Sequence, residues 1–285
     1  MTRILCVWFP LWSITRRRRD AEVPAAGPLA TGRRVRGRPV LGALSSEAEA
    51  AGLRPDMALD HALAVLPGLL AVEDDPAADL AGLNTLVAWA RRYTHRAVAD
   101  TTHGPVEGLL LDITACAAAF GGEAALLADL SAHLATFGLP ARMAIAGTSG
   151  AAWALSRSTE DSTILPPGGE ARALANLPTD LLRLPEPLTA ALNRLCLRRI
   201  GALARIPQAE LAARFGTLPG ERLAQALGSE AEPITWPHAP APWQVRAALC
   251  RPPAPARQTR PDAERTPVWF VPAVISAAEH AMRSS

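Results

Sequence analysis

The feature that most restricts how this chain can fold is a pair of short apolar runs, residues 3–9 and 106–113, far apart in sequence. The first stops at Pro10, whose missing amide would break a strand ladder, and the second has an unbroken Leu109, Leu110, Leu111 centre. The first run reads as a buried core strand, and the second, without polar alternation, as a strand covered on both faces. Helices are legible as well. From Asp75 to Thr94, Leu80, Leu83, Val87 and Ala90 recur at helical spacing behind an Asp75-Pro76 start. A second long helix is expected over 123–137, stopping at Gly138, and a third from its cap at Thr148 to Arg157. Further strands are expected at 39–44, 141–146 and 162–165, and short helices at 47–51 and from Asp56 or Leu59 through Val65. The order strand, helices, strand, helix, strand, helix, strand gives an α+β fold class.

After Pro166 the strand signals cease. Residues 170–228 read as four or five short helices broken by Pro178, Pro185, Pro187, Pro207 and Pro219, hence a separate small helical domain. Ten prolines lie between Pro233 and Pro272, and residues 236–285 are expected to form a Pro-rich, disordered tail. Trp236, Trp243 and Trp269 there mark either an interaction surface or the remnants of a lost domain.

The chain contains no lysine: all 29 basic residues are arginine, with clusters at Arg16–Arg19 and at Arg33, Arg34, Arg36 and Arg38. Arginine favours bidentate phosphate contacts, so nucleic acid is one reading of these clusters. An Ala-, Arg- and Pro-rich composition produced by a GC-rich coding sequence is the other. Cys6, Cys116, Cys196 and Cys250 form no CxxC pair, so neither a zinc site nor a disulfide framework is indicated and a reducing cytoplasm fits. The apolar stretch 4–14 is interrupted by Pro10 and Ser13 and is too short to span a membrane.

Four segments carry a resemblance: Gly108-Leu-Leu-Leu-Asp-Ile-Thr114, Phe120-Gly-Gly-Glu-Ala-Ala-Leu126, Ala144-Ile-Ala-Gly-Thr148 followed by Ala152-Trp-Ala154, and Leu195-Cys-Leu-Arg-Arg-Ile-Gly-Ala-Leu203. In this order and spacing they resemble the Y-family (DinB/UmuC-like) translesion DNA polymerases. The opening Leu5-Cys-Val-Trp-Phe-Pro10 and the run Glu232-Pro-Ile234 are similar to the catalytically inactive ImuB branch of that family. The resemblance implies a palm-like domain over 1–11 and 75–165, with a ferredoxin-like sheet carrying helices on one face. It also implies a fingers-like subdomain over 12–74 and a helix-hairpin-helix thumb over 166–235. The little finger of that family is not recognised, so the chain is expected to be C-terminally truncated.

Polymerase chemistry needs carboxylates converging on two Mg²⁺ ions, which activate the primer hydroxyl and neutralise the leaving pyrophosphate. In the resemblance, the first-strand Asp-x-Asp positions are Trp8 and Pro10, and the adjacent Asp-Glu pair falls at Glu107 and Gly108, so one carboxylate of three remains. Glu107 by itself reads as a solvated strand-edge residue, and Asp112 as a cap for the turn at Thr114. The triphosphate-gripping Tyr and Arg correspond to Ser46 and Glu49, which puts repulsion where a polyanion would sit. Trp153 stands where a lysine contact is expected. In the thumb, Gly201 fits the second hairpin glycine, Cys196 stands at the first, and Arg198, Arg199 and Arg205 add charge for DNA phosphates; a helical-pair core with solvated arginines is the competing reading.

The resemblance thus implies a pseudo-polymerase in DNA repair, translesion synthesis and SOS mutagenesis. Its expected partners are damaged or primer-template DNA, an error-prone replicative-type polymerase and an ImuA-type protein. No cofactor is expected, Mg²⁺ being needed only by the rival reading as an active error-prone polymerase; a non-functional fragment is the second rival. Sliding-clamp contact is doubtful, because Gln208-Ala-Glu-Leu211 matches a clamp peptide only in part.

Overall fold

The computed structural model describes residues 1–104, 106–159 and 161–237. The expected tail from Trp236 therefore lies, beyond Pro237, outside the described residues.

Strand β1 (Ile4–Trp8) and helix α1 (Trp12–Arg19) open the chain. A second lobe follows: β2 (Leu29–Val35), β3 (Arg38–Leu44), α2 (Ser46–Ala50), α3 (Leu59–Val65) and β4 (Leu70–Glu73). The chain then returns through α4 (Pro76–Ala90), β5 (Ala97–Ala99), β6 (Gly108–Asp112), α5 (Glu123–Thr136), β7 (Arg142–Ala146), α6 (Ser149–Ser158) and β8 (Thr163–Ile164). Five helices complete it: α7 (Glu170–Leu174), α8 (Glu186–Arg194), α9 (Ile200–Leu203), α10 (Gln208–Phe215) and α11 (Leu218–Leu227).

The first sheet has the order β5-β6-β1-β7-β8, with β1 antiparallel to both neighbours; Trp8 lies opposite Gly108 on one side and Arg142 on the other. Period-two alternation splits β1 between two cores. Leu5, Val7 and Phe9 join Leu83, Leu86 and Val87 of α4 and Leu126 and Leu130 of α5, whereas Ile4 and Cys6 join Ala151, Ala152 and Trp153 of α6. The expected helical cover of one face is thus present in α4 and α5, and α6 in addition covers the other. This second core runs on into Leu174, Leu182, Leu192, Ile200 and Leu203 of the C-terminal segment. Each such fully buried leucine contributes roughly 1.5–3 kcal/mol.

The smaller sheet, β3-β2-β4, pairs β2 antiparallel to β3 and parallel to β4 and has its own core, including Leu41, Leu44, Leu53 and Leu69. The Ser45 hydroxyl caps α2 by accepting from the Ala48 amide, as Asp75 and Thr148 cap α4 and α6.

Helix α1 was not expected, because four consecutive arginines mask its periodicity. Their role also differs from the nucleic-acid reading. Arg16 is buried and bonds Asp79 through Nε at 2.7 Å, with Asp20 and Glu22 at 3.3 Å. Arg17 pairs with Glu22 at 3.1 Å and donates to the Glu73 carbonyl, Arg18 reaches Glu47 and the Gly27 carbonyl, and Arg19 donates to the Phe137 carbonyl. The cluster thus ties α1 to α4, to the smaller sheet and to the end of α5. Asp79 also accepts from Ser13 Oγ at 2.6 Å, and its backbone carbonyl from Trp12 Nε1 at 2.9 Å. Among the described residues no helix is long and apolar enough to cross a membrane.

Replacing Asp79 with Ala strands the buried Arg16 guanidinium with only its two peripheral carboxylates. Urea denaturation is expected to show a loss of about 3 kcal/mol, with an unchanged denaturant slope.

Candidate nucleic-acid interface and the first-strand site

The two antiparallel pairings of β1 bring Trp8, Glu107, Gly108 and Arg142 to one end of the central strand. Trp8 donates its indole N–H to Glu107 Oε2 at 3.2 Å, and the Phe9 amide donates to the Glu107 carbonyl at 2.8 Å. Glu107 is therefore not the solvated residue expected of a strand edge. Burial pushes its carboxyl above the ordinary range, although the Trp8 bond and the Arg157 charge pull the other way. Gly108 is packed so tightly that a Cβ there would lie 2.7 Å from the Val7 carbonyl oxygen, which leaves no room for the side chain of a carboxylate.

Cations replace anions around this point. The Arg157 guanidinium lies over the Trp153 ring at 3.8 Å and over the Trp8 ring at 5.1 Å, and Arg142 lies over Trp8 at 5.6 Å. Contacts of this kind are each worth about 0.5–2 kcal/mol depending on desolvation. Trp153, expected to stand in for a lysine, instead holds an arginine from its own helix. One raised carboxyl, an indole and two guanidiniums do not fit Mg²⁺, which takes oxygen donors. Among the described residues no three His, Cys, Asp or Glu side chains converge on a metal position.

Ser46 and Glu49 are exposed on the short helix α2, with Ser46 Oγ 3.3 Å from Glu47. Glu47 itself is held at about 2 by hydrogen bonds from its own amide and from Ser45, and it pairs with Arg18. Asp112 behaves as expected: it accepts from the Thr114 amide at 3.0 Å and from Arg96 at 3.0 Å. Burial opposes its ionisation, but those donors outweigh it and hold the carboxyl low.

The hairpin between α8 and α9 keeps its turn even though Cys196 stands at the first glycine position, because Cys196 itself takes the left-handed conformation, φ +61°. The backbone amide of Gly201 is engaged within the fold. That amide donates to the Ala175 carbonyl at 2.9 Å and the preceding Ile200 amide to Leu177, and a Cβ at 201 would sit 2.8 Å from the Ala175 oxygen. Gly201 is a packing glycine. Arg198, Arg199 and Arg205 are all exposed, Arg199 also donating to the Asn176 carbonyl. What this edge offers a polyanion is side-chain charge.

A buried clamp had no sequence signal, its partners being far apart in the chain. Arg183, in the left-handed region at φ +58°, makes two bonds to Glu232 at 2.6 and 2.7 Å, and Arg222 approaches at 3.3 Å. Ser149 Oγ donates to the same carboxylate. Burial opposes ionisation of Glu232, but Arg183 and Ser149 more than offset it. The clamp fixes the chain after α11 against α6.

Glu107 and Glu232 give opposite pH signatures. A carboxyl raised in the folded state costs stability as pH climbs past its unfolded value, whereas a depressed one contributes stability that is lost as pH falls. Relative to the parent, Glu107→Gln is expected to gain stability between pH 4 and pH 7 and Glu232→Gln to lose it, read from denaturation midpoints at both pH values.

A family model described as impB/mucB/samB matches residues 15–157, half of the chain. Protein ImuB from two strains of Caulobacter vibrioides is 44% identical over 201 residues, which are 70% of this chain and 43% of that protein. The chain thus spans less than half the length of these relatives. Among solved structures, DinB from Sulfolobus solfataricus superposes with a TM-score of 0.63 at 15% identity, covering 82% of this chain and 69% of that one. The insertion ternary complex of Dbh DNA polymerase gives the same values. The chain belongs to the impB/mucB/samB family and carries the fold of the Y-family polymerases.

Proposed function

We propose that this chain is a non-catalytic, polymerase-like scaffold of DNA damage tolerance, in which residues 1–11 and 75–165 serve as palm, 12–74 as fingers and 166–235 as thumb. The observation that carries this reading is the state of the first-strand site. Trp8 occupies the surviving carboxylate Glu107, Pro10 has no oxygen donor, and Gly108 is backed against β1. Phosphoryl transfer needs negative charge converging on metals, and here guanidiniums lie over the aromatic rings instead. Ser46 and Glu49 on α2 offer a triphosphate no cation. The 44% identity to Protein ImuB agrees with this reading.

The scaffold role places primer-template or damaged DNA against the exposed edge of Arg198, Arg199 and Arg205, where side-chain charge fixes position without reading bases. An error-prone replicative-type polymerase and an ImuA-type protein are the proteins it would bring together in cytoplasmic SOS mutagenesis, the chemistry being theirs. Clamp binding through Gln208–Leu211 is not part of the proposal, since Gln208 begins helix α10 and Leu211 is buried.

The test is a primer-extension assay with all four dNTPs and Mg²⁺ or Mn²⁺, run beside a DNA titration at several salt concentrations. Binding without extension is expected, and Arg198→Ala with Arg199→Ala should flatten the log K against log salt line by roughly 1.5–2 units. Extension that disappears in Glu107→Ala would establish the rival polymerase reading.

A further inference from the structure

We propose that the β2–β3 hairpin is a second DNA-backbone contact, separate from the thumb edge; this rests on the reading of the chain as a DNA-binding scaffold. The hairpin closes through Arg36 and Gly37, both in the left-handed region at φ +50° and +81°, the geometry of a tight two-residue turn. Arg33, Arg34, Arg36 and Arg38 are all exposed around it, so four guanidiniums crowd the end of a short ribbon.

The contrast with the other arginine cluster gives these residues their meaning. Arg16, Arg17 and Arg18 are each met by a carboxylate of the fold. On the hairpin only Arg33 has such a partner, Asp56 at 2.6 Å, and that pair is half or more exposed. Among the described residues no carboxylate lies within ion-pair distance of Arg34, Arg36 or Arg38, and Arg34 makes only a long 3.4 Å bond to the Gly37 carbonyl. Like charges held together without compensation repel one another, and a polyanion relieves that repulsion while releasing its own counterions. Residues on both strands and at the turn contribute charge, and Val35, 40% exposed, lies among them. Nothing in this arrangement is aimed at base edges, so the contact is to phosphates and is indifferent to sequence.

The chemistry of arginine sharpens the assignment. A guanidinium binds a phosphate through two parallel N–H donors, which a lysine cannot reproduce. The turn fixes where the ribbon ends, so part of the ordering cost of binding is met in the free protein.

The experiment measures binding of a fluorescent single-stranded oligonucleotide and a primer-template duplex from 50 to 200 mM salt. The proteins are the parent, an Arg34→Ala, Arg36→Ala, Arg38→Ala variant, the matching triple Lys variant, and Arg198→Ala with Arg199→Ala. The triple Ala variant is expected to flatten the single-strand salt line by about 2 units, equivalent to a roughly twentyfold smaller loss of affinity across that range. It should melt with the parent, because these side chains touch no core. The triple Lys variant should keep the slope and bind more weakly. If the triple Ala variant melts early, Arg36→Glu alone carries the test, with weaker binding expected at low salt. Parent-like slope and affinity in the hairpin variants, with loss in the thumb variant, would overturn this inference and leave the scaffold reading standing. A parent that binds neither DNA at low salt would bring down both.

Discussion

The structure depends on the double burial of β1. Hydrogen-bonded to β6 and β7 along both edges, and covered by α4 and α5 on one face and α6 on the other, it has no side left to face water. A strand in that position tolerates only apolar or small residues along its length, and whatever stands at its end is fixed by three strands at once. In a polymerase the same rigidity would position metal-binding carboxylates. Here it positions an indole against a lone glutamate and closes the backbone over Gly108. A side chain at 108 would require β1 and β6 to separate, since its Cβ would lie 2.7 Å from the Val7 carbonyl oxygen.

Electrostatics follow from the absence of lysine. Every fixed cation is a planar guanidinium able to stack, to bond in pairs and to stay charged when buried. The fold uses it in three ways. Arg16–Arg19 brace α1 against α4, the smaller sheet and the end of α5; Arg157 and Arg183 lie near the Trp153 ring while Arg183 also clamps Glu232; and the hairpin and thumb-edge arginines project into solvent. Equal local density of arginine therefore means different things, and what decides is whether a carboxylate from elsewhere in the fold arrives to meet it.

Much of the architecture was legible because its signals are local. The caps at Asp75 and Thr148, the stop at Gly138 and the apolar runs 3–9 and 106–113 each lie within a few residues of what they determine. The elements that escaped are those whose stability is not local. Helix α1 is held by Asp79 and Glu47, β2 and the four-residue β4 exist by pairing with each other and β2 with β3, and β5 is a three-residue edge on β6. The site shows the same division. Trp8, Glu107, Gly108, Ser46 and Glu49 could be placed in the resemblance by spacing, but the Trp8–Glu107 bond, the role of Gly201 in packing and the Arg183–Glu232 clamp could not.

The sequence by itself determined the α+β class, the succession of most elements, the family resemblance and the residues that the resemblance sets at that family's metal positions, because periodicity, capping and motif order are properties of neighbouring residues. Only the tertiary structure decided which arginines are neutralised and which are free, that α6 and the C-terminal helices share one core, and that the remaining carboxylate is bonded to an indole. Those outcomes depend on residues from different elements meeting in space, and on the low dielectric of the interior, which makes the pairing of a buried charge a condition of folding rather than an option.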